Sequence, residues 1–582
     1  LSRRARVVVN ACDYDIEGSV IGYLIIKHLL PNVKAYRARF SSLTREDILR
    51  AFANLGPLDM DMVEAGICRH ELDWIWGINV SRAISDLFMK VLRRRLVLSA
   101  GRVQSPTLLR AINRILERKL FVPKPLFYPR VAIKVGDSLV PLEYADEPFR
   151  SRKEAKLYVK RVRELGYARV VEVSVRTERL KPPHPFNLPD LQREAGTILK
   201  LSPYTTQKLA EDLYLDALIS YPRTNSQKLP PTLNYRSIID ALSKQRRYAL
   251  LVKNLLAETR GVLKPNNGSK DDPAHPAIYP TGEEPRAKLS RKHLELYDLI
   301  VRRFLATFAE PAVVKSISVE LDVAGRRFRV RALRIVKRGW LSYYPFKAPQ
   351  ETVIPTELLT RGARFPIARV SYVVRYTSPP PPPTKLELLQ WMESMGIGTE
   401  STRAEIVEVL FRRGYIVSRS RRIDVSDLGI AVAELLRSFF PQLVSVELTR
   451  RFEEYIEKIR SRRMKCREVV AEAKEILTRN LEEFRRMLPR AAGEVLNFIP
   501  MNSSEARCRI CGRRAVERGL CTLHLQALQN ILKSYREWRY AGFTQEEYVD
   551  KLLKLRNVGE LVKEVVRNLR EEVTQLLERG TP

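Results

Sequence analysis

The start of the chain constrains the fold more than any other part of it. Residues 6–12 are rich in valine, as in a buried parallel strand, and an acidic segment over residues 13–18 follows at once. The spacing beyond residue 18 predicts a helix to about Leu30 whose apolar face is formed by Ile21, Leu24, Ile25, His28 and Leu29. A strand that leads through a short polar loop into a helix is the building unit of open α/β sheets, and we predict such a sheet here.

Three carboxylates, those of Asp13, Asp15 and Glu17, alternate along the acidic segment. Open α/β sheets bind their ligands beyond the C-terminal ends of the strands, where these side chains can converge on one point. Oxygen ligands suit Mg²⁺, which keeps several of its waters. The alternative is an acidic helix start that is stabilised by the helix dipole. We favour the magnesium site because three neighbouring carboxylates also repel one another.

The charge balance of the whole chain indicates a polyanionic partner. The 582 residues include 102 Lys and Arg against 67 Asp and Glu, a net charge of +35. Binding to nucleic acid with release of counterions explains this excess best. A thermophile-style charged surface, the alternative, does not account for the one-sided sign. No apolar run approaches the length of a membrane span, so we expect a soluble, cytoplasmic, nucleoid-associated protein.

A second candidate centre lies at Ile219-Ser-Tyr221-Pro-Arg223-Thr-Asn-Ser226. A tyrosine hydroxyl becomes a useful nucleophile only where positive charge stabilises its anion. Arg223 is the nearest charge that the sequence assigns to Tyr221, and its guanidinium can also grip a phosphate. The segment therefore suggests attack of Tyr221 on a phosphodiester. Taken alone, the segment fits better a tyrosine that packs in the core after a short buried strand and before a turn, and the other motifs of the chain reverse this preference.

The last hundred residues carry a metal-like spacing. We predict a structural Zn²⁺ site formed by Cys508, Cys511, Cys521 and His524. The three other cysteines are isolated, and we interpret them as small buried residues. Amphipathic basic helices are predicted over residues 526–575, and the sequence leaves open whether they bind DNA, a partner or the rest of the chain.

Four motifs occur in one order along the chain, and their combination resembles the type IA DNA topoisomerases over about residues 5–480. They are Asp13-x-Asp-x-Glu-Gly18, Ser99-Ala-Gly-Arg-Val-Gln-Ser105, Ile219-Ser-Tyr-Pro-Arg-Thr-Asn-Ser226 and Ala274-His-Pro-Ala-Ile278. The resemblance implies a multidomain fold of the α/β plus α+β class. It would comprise a partial, Rossmann-like Toprim domain, a toroidal core with a β arch and winged-helix-like helical domains, and a C-terminal zinc finger with helices.

The resemblance and the spacing together suggest domain boundaries. We expect a partial Toprim domain over 1–58, a helical DNA-binding domain over 59–120 and 379–495, a β arch over 121–187 and 312–378, a mobile domain carrying Tyr221 over 188–311, a zinc finger over 500–530 and a basic helical tail over 531–582.

The resemblance also implies roles for individual residues. Tyr221 would form a transient 5′-phosphotyrosine, His275 would approach the scissile phosphate, and Arg223 and Glu17 would complete the catalytic set. Asp13, Asp15 and Glu17 would be the acids associated with Mg²⁺. We assign DNA contacts to Arg82, Arg102, Gln104, Ser105, Thr399 and Arg403. The spacing of Thr402 and Glu405 additionally predicts a capping box at the start of a helix.

Two departures from the family pattern affect what we expect of the acidic site. Ile16 and Ser19 stand where the family has an arginine and a second glutamate. The family's first Toprim strand, with its glutamate and lysine, would precede residue 1. We therefore expect a chain that is truncated within this domain, or that receives the strand from another polypeptide, and we expect impaired religation.

The implied activity is cleavage of one DNA strand, passage of another through a gate and resealing with Mg²⁺, which relaxes negatively supercoiled DNA without ATP. The branch would be archaeal and close to topoisomerase III. Expected partners are single-stranded or negatively supercoiled DNA, together with helicases or single-strand-binding proteins, and the chain would act as a monomer. The alternatives are the topoisomerase module of a reverse gyrase and a non-catalytic DNA-binding scaffold.

Overall fold

The structure is a computed structural model that describes residues 5–30, 32–272, 275–285, 289–419, 422–500 and 506–578. Ala274 of the histidine motif, the first residues of the expected zinc finger and the tip of a basic hairpin lie outside these ranges. Among the helices that the structure describes, none has both the length and the apolar character that crossing a bilayer requires.

The start of the chain folds as a strand–helix–strand unit, as predicted. β1 (Val7–Asn10) pairs in parallel with β2 (Lys34–Arg37) through α1 (Ile16–Leu29), and α2 (Arg45–Ala53) follows. The prediction that the first strand is buried is wrong for much of its length, since Val7 is half exposed. Within the described ranges β1 has one neighbouring strand, which leaves its other edge uncovered.

The predicted apolar face of α1 is also not the face that packs. Ile25 is 50% exposed and Leu29 is 69% exposed. The buried residues of the helix are instead mostly small, namely Gly18, Ser19, Val20, Gly22 and Ile26. A Cβ atom at Gly22 would lie 2.1 Å from the Asn10 side chain. Close approach of the helix to β1 therefore decides its orientation more than hydrophobicity does.

Two long helices follow and form the first part of the helical domain. They are α3 (Met60–Leu92) and α4 (Gln104–Lys119). Asp59 caps α3 by accepting a hydrogen bond from the backbone of Met62. α4 begins at Gln104 without a side-chain cap, and the Ser105 N–H donates instead to the backbone carbonyl of Gly101 at 2.9 Å.

The expected β arch is a sheet of six antiparallel strands that closes on itself in the order β3-β4-β7-β6-β5-β8. Its strands come from two separate parts of the chain, as predicted, and helix α5 (Arg152–Leu165) packs against it. The strands are β3 (Pro125–Val135), β4 (Ser138–Tyr144), β5 (Tyr167–Leu180), β6 (Ala312–Val323), β7 (Arg326–Lys337) and β8 (Arg364–Tyr376).

The segment between β5 and β6 is helical and carries Tyr221. Its helices are α6 (Leu188–Ile198), α7 (Pro203–Leu215), α8 (Tyr235–Lys244), α9 (Ala249–Glu258) and α10 (Arg291–Ala306). The predicted start of α7 is confirmed, since Ser202 is the cap and Pro203 is the first helical residue. We refer to residues 185–309 as the tyrosine domain.

The chain then returns to the helical domain through a proline-rich segment. The helices of this second part are α11 (Lys385–Ser394), α12 (Arg403–Arg412), α13 (Asp427–Phe439), α14 (Pro441–Val444), α15 (Val446–Arg460), α16 (Cys466–Arg486) and α17 (Leu488–Phe498). β9 (Ile416–Arg419) and β10 (Arg422–Val425) form an antiparallel hairpin after α12, as expected for a wing.

The zinc-finger region and the helical tail form one unit, which we call the C-terminal block (residues 506–578). Its helices are α18 (Thr522–Tyr540), α19 (Gln545–Lys554), α20 (Glu560–Asn568) and α21 (Arg570–Glu578). The expected boundary between residues 530 and 531 is wrong because it falls inside α18. This block packs on the rest of the chain, which is one of the three roles that the sequence left open.

The contacts of the C-terminal block concentrate where the chain crosses between the helical domain and the sheet. Trp538 donates its indole N–H to the carbonyl of Pro123 at 2.7 Å and stacks on Tyr376, with 5.4 Å between ring centroids. Asn557 donates to the carbonyl of Thr377 at 2.6 Å. The block therefore covers both crossing segments.

Two separate hydrophobic cores result. One core joins the helical domain, the six-stranded sheet and the C-terminal block. The other belongs to the tyrosine domain and also includes Ala312 of β6 and residues 340–344 after β7. The tyrosine domain is therefore a body with its own core.

Candidate active site

Tyr221 lies at the boundary between the tyrosine domain and the acidic segment. The residues before it form isolated backbone pairs with residues 279–281, in place of the predicted short strand. Its side chain is 2% exposed, and its hydroxyl donates a hydrogen bond to Asp15 Oδ2 at 2.5 Å. Its backbone N–H donates to the carbonyl of Ser41 at 2.7 Å. A residue of one domain is thus fixed by two hydrogen bonds to another.

The charge nearest to Tyr221 is negative, which corrects the assignment of Arg223. Burial and then the Asp15 carboxylate raise the pKa of Tyr221, while Arg223 lowers it by less. The Arg223 guanidinium is paired with Glu211, with nitrogen–oxygen distances of 2.8 and 2.9 Å. In this arrangement Tyr221 is a protonated phenol held ready beside an acceptor.

The three acids of the acidic segment do not converge on one point in the part of the chain that the structure describes. Asp15 caps α1 by accepting from the backbone of Gly18 at 2.7 Å, which folds its side chain back over the helix. Glu17 lies in the first turn and pairs with His70 of α3 at 2.8 Å. Asp13 and Asp15 remain close enough that burial and the Asp15 charge together raise the pKa of Asp13.

His275 packs directly against the candidate nucleophile. Its ring centroid lies 4.4 Å from that of Tyr221, and the side chain is 3% exposed. Burial lowers the pKa of His275, so the imidazole is neutral at pH 7. Neither ring nitrogen forms a hydrogen bond of standard geometry with a described residue. Buried polar atoms are normally paired. Two unpaired ring nitrogens therefore mark a position at which a ligand can bind.

A cavity of about 560 Å³ opens beside this centre, between the tyrosine domain and the helical domain. Arg102, Gln104, Thr399 and Arg223 all line it. Two helices, α4 and α12, begin at its wall without a side-chain cap. The positive end of a helix dipole attracts anions, so the cavity suits a phosphate backbone.

The capping box predicted at α12 is wrong. The hydroxyl of Thr402 accepts a hydrogen bond from the backbone N–H of Thr399 at 3.0 Å and makes no cap to its own helix. The glycine turn at Gly396 and Gly398, both at positive φ, brings the preceding loop close enough to take that hydroxyl.

The predicted DNA-binding residues divide into two groups. Gln104 and Thr399 line the cavity, and Arg82 is exposed in an adjoining groove of about 890 Å³. Arg102 borders the cavity, but it is only 2% exposed and its guanidinium is paired with Asp73. Ser105 and Arg403 are instead buried in the wall, because Arg403 donates to the carbonyls of Ile397 and Gly398. These two residues shape the loop and the helix start and do not present their side chains to the cavity.

Tyr214 is a site residue that the sequence analysis missed. It lies in the last turn of α7, and its hydroxyl donates to Asp13 Oδ1 at 3.2 Å. A single tyrosine on an amphipathic helix gives no signal of such a contact, which joins residues 201 positions apart.

The cysteine and histidine residues of the C-terminal block form the group predicted from their spacing. The ligand atoms of Cys508, Cys511, Cys521 and His524 all lie within 4.8 Å of one another. Measured separations are 3.4 Å from His524 Nδ1 to two of the sulfurs and 3.6 Å between Cys511 and Cys521. Tetrahedral Zn²⁺ with bonds of about 2.3 Å needs ligand atoms at such separations. Glu564 accepts a hydrogen bond from His524 Nε2 at 2.9 Å, which leaves Nδ1 to the metal.

The chain is similar to known DNA topoisomerases over most of its length. A family model described as DNA topoisomerase matches residues 57–471, more than half of the chain and including Tyr221 and His275. DNA topoisomerase 1 of Aeropyrum pernix is 45% identical over 535 residues, covering 91% of this chain and 79% of that protein. DNA topoisomerase 1 of Pyrococcus horikoshii is 42% identical over 491 residues, covering 84% of this chain and 71% of the other.

Two further matches extend the similarity. Human DNA topoisomerase 3-alpha is 31% identical over 441 residues, which cover 74% of this chain and 43% of the human protein. The solved structure of full-length topoisomerase I from Thermotoga maritima matches with a TM-score of 0.65 at 26% identity, covering 84% of this chain and 78% of that one. The names of these relatives favour a topoisomerase over the reverse-gyrase alternative. The chain therefore belongs to the type IA DNA topoisomerases, enzymes that change the topology of DNA.

Proposed function

We propose that Tyr221 is the nucleophile of this enzyme and that it cleaves one strand of single-stranded or negatively supercoiled DNA. The observation that carries the proposal is the hydrogen bond between Tyr221 and Asp15. It unites the candidate nucleophile with the acidic segment across 206 positions of sequence. Tyrosines of the same core also donate to carboxylates, but the partner of Tyr221 belongs to the acidic segment of another domain.

The chemical step follows from the placement of these groups. The phenolic proton passes to the Asp15 carboxylate, the bond between Tyr221 Oη and phosphorus forms, and the bond from phosphorus to the 3′ oxygen breaks. The 3′ oxygen takes up a proton, so the net change is proton transfer from Tyr221 to the new 3′ hydroxyl. Religation is the reverse reaction, and it needs no ATP because the phosphotyrosine retains the energy of the phosphodiester.

His275 and Arg223 are proposed to act on the phosphate. The neutral His275 ring carries one N–H, which can donate to a phosphate oxygen beside Tyr221. Arg223 borders the cavity and exchanges Glu211 for the phosphate when DNA enters. An arginine can bind phosphate through two parallel hydrogen bonds, which favours the transition state.

Asp13 and Asp15 are the residues that we propose to hold Mg²⁺. Two partly buried carboxylates that repel each other suit a divalent cation, as the raised pKa of Asp13 indicates. Glu17 does not fit this role while it is paired with His70. When bound, the ion supplies positive charge to the reacting phosphate. It would also offset the negative charge that raises the pKa of Tyr221.

The tyrosine domain is proposed to be the moving part of the gate, and residues 5–58 to be part of a Toprim domain. The separate core of the tyrosine domain supports motion as one body. Two hydrogen bonds, from Tyr221 to Asp15 and from Tyr214 to Asp13, join it to the acidic segment and can break when the domains separate.

The proposal is tested by mapping the covalent adduct. The protein is incubated with an oligonucleotide carrying a label 3′ of the cleavage site and then digested. Cleavage before Asp216 and after Arg223 leaves a peptide with one tyrosine, Tyr221, and separates it from Tyr214 and Tyr235. We expect the label on this peptide. A label on any other peptide would overturn the assignment.

A milder effect is expected at the DNA-binding groove. Arg82→Ala removes one exposed cation, so it should weaken binding of single-stranded DNA for all sequences alike. Counterion release predicts that the slope of log affinity against log salt decreases by about 0.7 for one lost phosphate contact. Arg161→Ala on α5, exposed and outside both cavities, is the matched control. Equal slopes for the two variants would show that Arg82 makes no phosphate contact.

A further inference from the structure

Two phenol–carboxylate hydrogen bonds connect the tyrosine domain to the acidic segment. Tyr221 donates to Asp15 at 2.5 Å and Tyr214 donates to Asp13 at 3.2 Å. The two tyrosine rings also pack edge to face, with centroids 5.3 Å apart and an interplanar angle of 75°. Both phenols come from the tyrosine domain, so they move together relative to the two acids.

Cleavage affects the two hydrogen bonds differently. Once Tyr221 is esterified to the DNA phosphate, its oxygen carries no proton and cannot donate to Asp15. Tyr214 takes no part in the covalent step, and its hydroxyl remains a donor. The Tyr214–Asp13 hydrogen bond is thus the phenol–carboxylate contact that survives in the cleaved state.

We infer that Tyr214 is a positioning residue that holds the cleaved gate closed, so that the 3′ hydroxyl stays beside the phosphotyrosine for religation. The inference rests on the proposed nucleophilic role of Tyr221. Tyr214 would set the rate of resealing relative to the rate of gate opening, whereas Tyr221 would carry out the cleavage.

The surroundings of Tyr214 support this role. Tyr214 is 4% exposed, so separation of the domains would expose its apolar ring to water, which opposes opening. A phenol is protonated at neutral pH, so the Tyr214 hydroxyl can donate. A hydrogen bond to an ionised carboxylate is among the stronger hydrogen bonds in proteins.

The test compares Tyr214→Phe with Tyr343→Phe. Tyr343 is an equally suitable control because it lies in the same core and donates to a carboxylate, Glu258 Oε2, at 2.7 Å, away from the site. We expect Tyr214→Phe to form the adduct within about twofold of the unmodified rate. Its religation after a rise in salt should be slower by about tenfold, the effect of losing one hydrogen bond to a charged group. The control should change neither rate, and melting temperatures should show that both variants fold.

Each outcome separates the inference from the proposed function. Equal religation rates in Tyr214→Phe and Tyr343→Phe would overturn the inference while leaving Tyr221 as the nucleophile. Loss of cleavage in Tyr214→Phe would also overturn it, because Tyr214 would then act in the chemical step. An adduct that persists in Tyr221→Phe would instead refute the proposed function.

Discussion

Tyr221→Phe is expected to abolish the covalent protein–DNA adduct, lowering cleavage by roughly 10⁴-fold or more, as removal of a nucleophile does in other enzymes that form covalent intermediates. The substitution deletes one oxygen and keeps the ring that packs between Tyr214 and His275. Binding of single-stranded DNA should therefore be unchanged. Adduct formation is measured on a labelled oligonucleotide by denaturing electrophoresis, and binding by anisotropy.

The chain offers a closely matched control for this variant. Tyr344 is buried in the same core and donates its hydroxyl to Glu194 at the same distance, 2.5 Å. Tyr344→Phe thus removes the same type of hydrogen bond far from the acids. If both variants lost activity equally, the loss would reflect a weakened core, and the nucleophile would have to be sought elsewhere.

The second large effect is expected from removal of the metal that we propose at the cysteine cluster. Cys521→Ala should eliminate bound Zn²⁺ and lower the melting temperature, because structural zinc contributes about 10–16 kcal/mol of binding free energy in small zinc-binding peptides. Cys521 is 1% exposed and precedes α18, so its loss should release the start of that helix. Elemental analysis and thermal unfolding provide the two measurements.

Cys12→Ala is the control for the zinc prediction, since Cys12 lies outside the cluster and near the other end of the chain. It should keep one Zn²⁺ per chain and a nearly unchanged melting temperature. Equal zinc content in Cys521→Ala and the unmodified protein would show that this cluster holds no zinc.

Local signals in the sequence were sufficient where neighbouring residues decide the structure. Ser202 and Pro203 start α7 as predicted, and the cysteine and histidine residues that we propose as zinc ligands lie within one short segment whose spacing brings them together. The alternating strands of the sheet also appear where they were expected.

Contacts between distant segments could not be predicted in this way. The pairing of Tyr221 with Asp15 depends on how two domains meet, and it reverses the sign of the charge expected beside the nucleophile. Glu17 lies outside the predicted metal site because it pairs with His70 of α3, a contact that only the tertiary fold reveals. The prediction of the apolar face of α1 is wrong for a related reason, since the glycines of this helix allow a closer approach to β1 than leucines would.

The division into two cores has a consequence for the order in which the protein is made. The tyrosine domain takes its core almost entirely from residues 186–309, followed by residues 340–344. It can therefore fold on the ribosome soon after these residues emerge. The other core draws on residues from 65 to 577, and the last helix of the C-terminal block is among its members. The domain that carries Tyr221 can thus be folded well before the C-terminal block, which completes the other core, has been synthesised.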